Sequence, residues 1–420
     1  MVGKATLFVV AGFSLIFLVV IQNYGRITNR AVDNYVNYYE ETVAHNIAVS
    51  GANMAASNVY FNPTWSAGYS NIPYQDGTLN VTVNYNAVYK THIINSIGTY
   101  EGTQDTVTIA LAPGKFSYFA YFSVWEKENM SGAPIWWTGS DTVWGPFHTE
   151  DNLRAYRHPA FLGKSTSHKG SLLYYTNKKQ DQPVITGDYK PGFSMDIPEG
   201  SVDDIEIAAD DDGLKFNDHD TVYLSFARDS LRYKFAYAES YTSLYLPDAS
   251  HNGVIFAKDA VVRMSGTVQG QYTVACSSPG KGSGCNPLKG LVYLDGDIVY
   301  DKDPRIHPES TDLLGICAEN SVLISNPLPT LNGINIDASI FCEEQGFGAQ
   351  NWDTRSPNGS INLLGGVIQQ WRKPVGQFNP SNGSILHGFA KRYRYDDRLL
   401  LASPPFFPGT GGFKIVSWKE

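Results

Sequence analysis

The sequence opens on an uncharged apolar run that constrains everything after it. Residues 5–21 are ATLFVVAGFSLIFLVVI, seventeen residues without a charged side chain. That is the short end of the roughly 17–25 residues with which a helix crosses the hydrocarbon layer of a bilayer. We therefore predict a membrane anchor over residues 1–27, with the remainder of the chain displayed on one side of a membrane.

The residues around the run bear on whether it is removed. Lys4 gives the charged start of a signal peptide, but Gln22 and Asn23 follow where a small-x-small cleavage site would be needed. A second alternative is prepilin processing, because GFSLI at residues 12–16 looks like a type IV pilin cleavage site. There, Phe17 occupies the place of that family's acidic residue. We favour an uncleaved anchor over both alternatives.

Basic residues on either side of the run give the orientation. Lys4 favours a cytoplasmic amino terminus, whereas Arg26 and Arg30 favour the reverse. A large head without further spans fits best outside the cytoplasm. The prediction is a single-pass membrane protein with a cytoplasmic amino terminus and a head in the periplasm or at the cell surface.

A helical periodicity follows the anchor. Apolar or small residues recur at three- and four-residue steps and form one stripe, which predicts an amphipathic helix over residues 28–60. The stripe consists of Val32, Val36, Tyr39, Val43, Ile47, Gly51 and Met54. Such a helix packs either on its own head or on copies of itself in a filament, and the pattern fits both.

Small residues are frequent in the second half of this helix. They are Ala44, Ala48, Ser50, Gly51, Ala52, Ala55 and Ala56. An apolar span followed by such a helix resembles the amino-terminal region of PilX-type, type IV pilus-assembly-like proteins, over about the first 60 residues. The resemblance implies a pilin-like helix whose partners are the membrane, pilus or envelope assembly proteins, or copies of the chain.

Composition places the remainder among β-rich proteins. The chain has 26 Tyr, 21 Phe and 39 Gly, a mixture that suits pleated sheets and tight turns. Its net charge of −9 gives no electrostatic support for a nucleic-acid partner. We therefore expect an all-β head that does not bind nucleic acid.

A short template recurs within the head. A Gly begins an apolar stretch, a polar turn follows, and a second apolar stretch comes next, starting at Gly253, Gly290 and Gly315. The last two lie 25 residues apart, a plausible length for one coil of a solenoid. We predict a right-handed parallel β-helix, with a β-sandwich as the alternative.

Patterning divides the head into segments. Alternating stretches at residues 79–85 and 105–111 predict half-buried strands of a small β-sheet linker domain over 61–130. We assign residues 131–240 to a first solenoid portion. Residues 241–420 are assigned to a carboxy-terminal solenoid with a capping segment.

The carboxy-terminal segments carry a second resemblance. His387-Gly388-Phe389 leads to YRYDDRL at residues 393–399 and SPPFFP at residues 403–408. These segments resemble the end of an uncharacterised bacterial family of membrane-anchored β-helical proteins with pilus-like starts. The resemblance implies architecture and location but no activity. The Tyr, Arg and Asp residues at 392–398 are interpreted as a salt-bridged cap on the solenoid end.

Four cysteines occur at Cys276, Cys285, Cys317 and Cys342. An even number outside the cytoplasm favours disulfides, whereas the absence of CxxC disfavours zinc. Cys276 and Cys285 bracket a Gly/Ser/Pro loop, and Cys317 and Cys342 lie 25 residues, one expected coil, apart. Both pairs are possible disulfides, and free buried thiols are the alternative.

Three tryptophans are candidates for a carbohydrate-stacking platform. Trp136, Trp137 and Trp144 lie within nine residues of one another. Exposed aromatic faces in a row would bind sugars, whereas buried ones would only fill a core. The platform is the prediction that accompanies an adhesin or carbohydrate-binding function.

A polysaccharide-cleaving β-helix is the one enzyme class that the sequence allows. Such enzymes use paired carboxylates, and Asp295, Asp297, Asp301 and Asp303 flank one predicted strand. Asp-Gly-Asp is equally ordinary turn chemistry. We predict that the chain is not an enzyme and has no catalytic residues.

Metal binding has little support. The acidic segment 210–220 lacks the alternating pattern of an EF-hand loop, and His148, His158 and His168 are simply ten residues apart. We predict solvated turns, no metal and no cofactor.

The sequence thus favours a membrane-anchored, pilus-associated or pilin-like envelope protein that displays a β-helical head. The alternatives are a surface protein that binds carbohydrate and a polysaccharide-active enzyme.

Overall fold

The computed structural model describes residues 2–87, 90–280, 286–326, 328–357 and 359–420. Its helices are α1 Val2–Phe61, α2 Lys178–Asp181, α3 Ser201–Asp212 and α4 Leu246–Ala249, and short 3-10 turns lie at Phe116–Tyr118, Leu328–Thr330 and Asp397–Leu400. The strands are β1 Tyr69–Tyr74, β2 Gly77–Asn86, β3 Thr91–Tyr100, β4 Thr103–Lys115, β5 Tyr121–Trp125, β6 Trp137–Thr138, β7 Thr142–Trp144, β8 Phe147–Thr149, β9 Leu153–Tyr156, β10 Ala160–Phe161, β11 Ser165–Ser167, β12 Leu172–Tyr174, β13 Val184–Ile185, β14 Tyr189–Pro191, β15 Leu214–Phe216, β16 Thr221–Arg228, β17 Ser230–Lys234, β18 Thr242–Tyr245, β19 Val254–Ala257, β20 Val261–Val268, β21 Gln271–Cys276, β22 Leu291–Tyr300, β23 Leu313–Ala318, β24 Ser321–Ile324, β25 Ile334–Cys342, β26 Phe347–Ala349, β27 Ser360–Trp371, β28 Gly376–Phe378, β29 Ile385–Gly388, β30 Ala390–Arg394 and β31 Gly409–Lys419. A mainly β chain with one long amino-terminal helix is therefore confirmed.

The chain forms two compact units. One comprises Met1–Gly114 with Gly411–Glu420, and the other comprises Lys115–Thr410. The predicted linker domain of residues 61–130 therefore ends earlier, because β5 belongs to the second unit. The last ten residues, assigned from the sequence to the carboxy-terminal solenoid portion, instead lie in the first unit, where β31 is an edge strand of its sheet.

Helix α1 is continuous over 60 residues and joins the predicted anchor and amphipathic segments without a break. Its two halves have different environments. Apolar side chains from Leu7 to Ile21 are exposed to between 44% and 78%. Ala44, Ile47 and Ala48 are fully buried against a five-stranded sheet with the order β1-β2-β3-β4-β31. Small residues of the helix thus allow it to pack closely on its own sheet.

Two glycines allow the close approach of helix and sheet. A Cβ atom added to Gly98 on β3 would lie 2.1 Å from the Ala44 carbonyl oxygen and 2.6 Å from the Ala48 nitrogen. A Cβ atom on Gly51 of the helix would meet the Leu79 side chain. The backbone of α1 therefore rests directly on the backbone of β3, and there is no room for a methyl group between them.

We expect Gly98→Ala to lower the free energy of opening of this sheet by about 1–3 kcal/mol, because the helix backbone must move away from the added methyl group. Hydrogen exchange at the β2 and β3 amides of the detergent-solubilised chain measures it. Gly25→Ala is the control, since Gly25 lies in the exposed part of α1 with no atom within 4 Å of an added Cβ. Unchanged exchange in Gly98→Ala would contradict the close contact.

The second unit is built from parallel ladders. The first ladder aligns, in spatial order, β15, β19, β21, β23, β25, β27, β5, β8, β11 and β14. Further parallel pairs run through β16, β20, β22, β24 and β26, and through β27, β30, β7, β10 and β13. Neighbouring strands of a sheet lie about 4.8 Å apart, so each ladder stacks equivalent residues at that interval.

The chain enters this stack in its middle. Strand β5 pairs with β8 on one side and with β27, some 240 residues later, on the other (Phe122 aligns with His148 and with Ile368). Helix α3 follows β14, at one end of the first ladder, and precedes β15, at the other end. It packs Val202 and Ile205 into an apolar cluster on the outer face of that ladder. The predicted portions 131–240 and 241–420 are therefore not separate, because β16 and β20 pair across that boundary.

The 25-residue repeat does not correspond to one interval of a ladder. Gly290 precedes β22 on one ladder, whereas Gly315 lies in β23 on another. On its own ladder Gly315 aligns with Ser339, 24 positions later. The template therefore marks the starts of strands. Its 25-residue spacing separates strands of two different ladders and not successive strands of one ladder.

This register corrects the cysteine prediction. Cys317 aligns with Phe341, and Cys342 aligns with Ala318, so the two cysteines are one residue out of register and project to opposite faces of the ladder. Cys276, Cys317 and Cys342 are buried and form no disulfide with one another or with any other residue that the structure describes. Cys285, the predicted partner of Cys276, lies outside the described residues.

Candidate functional site

A cavity of the second unit with a volume of about 870 Å³ lies over the strands β25, β27, β30 and β7. We call it the groove. Its principal polar and aromatic residues are Trp144, Asn335, Asp337, Asn362, Arg392 and Arg394. They come from four strands, of which β7 is far from the other three in sequence, and the ladder register brings them together.

Strand alternation explains why these side chains share a face. Successive residues of a strand point to opposite sides, so Asn335 and Asp337, or Arg392 and Arg394, project together. One row aligns Asn335, Asn362 and Arg392, and the next aligns Asp337, Leu364, Arg394 and Trp144. The intervening Tyr393 points inward and is buried.

A ladder of amides runs along the first row. The backbone and side-chain nitrogens of Asn335 donate to the two carboxylate oxygens of Asp297, at 2.9 and 2.8 Å. Asn362 Nδ2 donates to Asn335 Oδ1 at 3.0 Å. Both asparagines are exposed, so their remaining hydrogen-bonding capacity faces the groove.

The three arginines of the groove are in two states. Arg305 binds the Asp303 carboxylate through Nε and Nη2, at 2.8 and 2.7 Å. Arg392 and Arg394 are exposed and make no hydrogen bond or ion pair to any residue that the structure describes. Two guanidinium groups on one side of one strand therefore keep their full donor capacity.

Two carboxyl groups of the groove have opposite electrostatic environments. Burial raises the pKa of Asp337 to about 6, although the Tyr300 N–H donates to it at 3.0 Å. The hydrogen bonds from Arg305 hold the pKa of Asp303 below its ordinary value. At neutral pH Asp303 is thus a paired anion, whereas Asp337 titrates near physiological pH.

Tyr395 adds an unsatisfied group to the groove. The residue is buried, and its hydroxyl has no hydrogen-bond partner within the described part of the chain. Burial raises its pKa, so the hydroxyl stays protonated. A buried hydroxyl without a partner costs about 1–3 kcal/mol, and such groups in a native structure call for an explanation.

The three candidate tryptophans do not form one platform. Trp144 lies in the groove and is 40% exposed, so it alone remains available for stacking there. Trp137 is fully buried, and its Nε1 donates to Glu126 at 3.0 Å. Trp136 contacts Tyr175 edge-on and lines a second cavity of about 300 Å³. The prediction of a shared surface is therefore wrong for Trp137, because its strand turns it into the core.

The four candidate aspartates each have a different partner. Asp295 binds Arg263 through two bonds of 2.9 and 2.6 Å, and Asp301 binds Arg228 at 2.9 Å. Asp297 belongs to the amide ladder, and only Asp303 of the four lines the groove. The four do not converge as a pair of catalytic carboxylates would.

The other candidate metal ligands are also dispersed. His148 and His168 both approach Glu150, at 2.7 and 3.9 Å, whereas His158 contacts the Gln182 carbonyl. Asp210–Asp212, predicted as a turn, forms the end of α3 instead. No group of three or more His, Cys, Asp or Glu side chains that could hold a metal ion occurs among the described residues.

Sequence inspection missed most of the groove. It interpreted Arg392 and Arg394 as part of a cap, although their alternation with Tyr393 and Tyr395 was a usable signal for one outward and one inward face. Asn335 and Asn362 gave no signal, because their alignment depends on register. Of the predicted cap, the Arg398–Asp396 pair does form, with bonds of 2.9 and 2.6 Å.

Comparison with known proteins gives little more. No family model matches this chain, and no curated protein matches it in sequence. Among solved structures it is similar to the competence-associated pilin ComZ from Thermus thermophilus, with 10% identity over 90% of this chain and 97% of that chain. The TM-score is 0.36, which is too low to assign a fold or a site from that structure.

We predict that Asp337→Asn stabilises the protein increasingly as the pH rises. The folded pKa of about 6 lies above the ordinary 3.8, so the folded state binds more protons between these values, and the free energy of unfolding falls as the pH rises through that window. The variant lacks this loss, so its advantage over wild type should grow by about 1–3 kcal/mol from pH 4 to pH 7. Urea unfolding at several pH values measures it.

Asp303→Asn is the control of opposite sign. The pKa of Asp303 is lowered in the folded state, so its contribution is present above its ordinary pKa and is lost as the pH falls. The difference between wild type and this variant should therefore shrink on acidification. A common trend in both variants would show that the pH dependence arises elsewhere.

We also expect Tyr395→Phe to leave the free energy of unfolding unchanged or to raise it by up to about 1 kcal/mol, because the lost hydroxyl has no partner. The matched variant is Tyr121→Phe, whose buried hydroxyl donates to Glu126 at 2.7 Å. That change should cost about 1–3 kcal/mol. Urea unfolding of both variants is decisive, and an equal loss in both would contradict the unpartnered hydroxyl.

Proposed function

We propose that this chain is a bacterial envelope protein that its amino-terminal helix holds in a membrane, while its β-rich head is displayed outside the cytoplasm. The observation that carries the proposal is the exposure of an unbroken apolar surface from Leu7 to Ile21 on a helix long and apolar enough to cross a bilayer. In water that surface would be unfavourable, whereas a bilayer would cover it.

The same helix supports a pilin-like role. Its second half packs on its own sheet, but Val32, Val36 and Tyr39 remain 55%, 43% and 52% exposed. These side chains lie beyond the apolar run and would contact either copies of this chain or envelope assembly proteins. We propose such partners, with the amino terminus on the cytoplasmic side.

For the head we propose a right-handed parallel β-helix. In its favour, the principal ladders are parallel and pair strands that are typically one short chain excursion apart, such as Gly315 with Ser339. A β-sandwich, the alternative, consists of antiparallel sheets. Stacked coils would give the displayed head a long, regular surface.

We predict that Leu15→Lys combined with Leu18→Lys moves the protein from the membrane fraction to the soluble fraction. Each lysine near the centre of a span costs about 2.5–3.5 kcal/mol. Fractionation of cells followed by immunoblotting measures the distribution. The control is Val32→Lys combined with Val36→Lys, which places the same charges on exposed positions of α1 outside the apolar run.

The control variant should stay in the membrane fraction. If the Leu15/Leu18 variant also stays there, the apolar run is not the anchor and the proposal fails. Mass spectrometry of the amino terminus then separates the finer possibilities. A start at Phe13 in sheared filaments would mean prepilin processing, and an intact amino terminus confined to membranes would exclude the assembled-pilin role.

A further inference from the structure

We propose that the groove binds an acidic polysaccharide, a chain of sugars that carries carboxylate groups. Arg392 and Arg394 would bind the carboxylates, and Trp144 would stack against a sugar ring. The groove lies wholly within the second unit, so this binding is independent of how the helix is held in the membrane.

The two arginines are the first argument. Both project from one side of β30, two residues and so about 6.6 Å apart along the strand. A guanidinium group matches a carboxylate through two parallel hydrogen bonds, and the strand fixes the spacing of the two backbone positions from which the side chains project. Arg394 acts on the Asp303 carboxylate only through its charge, and neither arginine makes a hydrogen bond or ion pair to a described residue, so an external anion is the natural complement.

The neutral residues of the groove favour a sugar over a simple anion. Trp144 aligns directly with Arg394 on the next strand and keeps 40% of its surface exposed. Asn362 aligns with Arg392 and presents an exposed amide, a group that can both donate to and accept from hydroxyls. An aromatic face, amides and fixed cations together match a ligand with apolar ring faces, hydroxyls and charges.

Tyr395 is an independent argument for a ligand. Tyr395 is among the residues that line the groove, and its buried hydroxyl has no hydrogen-bond partner within the described residues. An unsatisfied buried group of this kind calls for an explanation, and a group supplied by a bound ligand is one. A sugar hydroxyl or ring oxygen is such a group.

The acidic residues of the groove disfavour a nucleic acid. Asp303 is neutralised by Arg305, but Asp337 and Asp397 also line the groove and would repel a dense row of phosphates. The chain as a whole has a net charge of −9. The row from Asp337 to Trp144 spans three strand intervals, about 14 Å, so it is long enough for several sugars of an extended oligomer.

The test uses the detergent-solubilised full chain and two probes, hexagalacturonate and its fully methyl-esterified form, in which every carboxylate is replaced by an uncharged methyl ester. Isothermal titration calorimetry should show binding of the acid, with an affinity that falls as salt is added, and at least about tenfold weaker binding of the ester. The double variant R392Q/R394Q should lose at least about tenfold in affinity for the acid, and Trp144→Ala about as much.

Arg232→Gln is the matched control, because Arg232 is also an exposed strand arginine, lies outside the groove and makes no hydrogen bond or ion pair to a described residue. It should bind the acid as wild type does. Equal loss in this control, equal binding of acid and ester, or no binding of either probe would each overturn the proposal. Tighter binding of a single-stranded oligonucleotide with the same dependence on Arg392 and Arg394 would overturn it in favour of nucleic acid.

Discussion

The second unit depends on one junction, the insertion of β5 between β27 and β8. A buried carboxylate, Glu126, holds this junction together. It accepts hydrogen bonds from Tyr121, Ser123, Trp137 and Arg372, at distances from 2.5 to 3.0 Å. Because all these groups are buried, each compensates the desolvation of the others. The network connects residues near 121 with one near 372, so the two parts of the stack on either side of this junction cannot pack independently.

The groove follows from the same register. Once β27 aligns with β5, its first half is left to pair with β30, and β30 in turn pairs with β7. The outward residues of these strands then form continuous rows, whatever their distance in sequence. Arg394 meets Trp144 although some 250 residues separate them. The site is thus a property of the stack rather than of any local motif.

Sequence patterns that involve only neighbouring residues predict much of the fold but little of the groove. The apolar run and the stripe that follows it predict α1, and alternation such as that at residues 79–85 predicts β2, since both depend on neighbouring residues only. The alignment of one strand with the next cannot be predicted in this way, because it depends on the connections between strands, whose lengths vary. One residue separates the predicted 25-residue coil from the observed alignment of Gly315 with Ser339, and that single residue turns Cys317 and Cys342 to opposite faces.

Where a sequence specifies a fold consistently, local rules fail mainly at functional sites. In the second unit three such features lie in the groove: two exposed arginines that make no hydrogen bond or ion pair to a described residue, a tyrosine whose buried hydroxyl has no hydrogen-bond partner there, and a buried aspartate whose pKa is raised to about 6. Elsewhere in this unit the Lys391–Asp141 pair, at 2.7 Å, is a buried charge pair that is satisfied, whereas the Ser339 hydroxyl is buried without a partner among the described residues. A structural cap gives no reason for a buried hydroxyl without a partner beside two exposed arginines that bind no carboxylate, since the buried hydroxyl costs stability. A surface kept ready for a ligand has that reason.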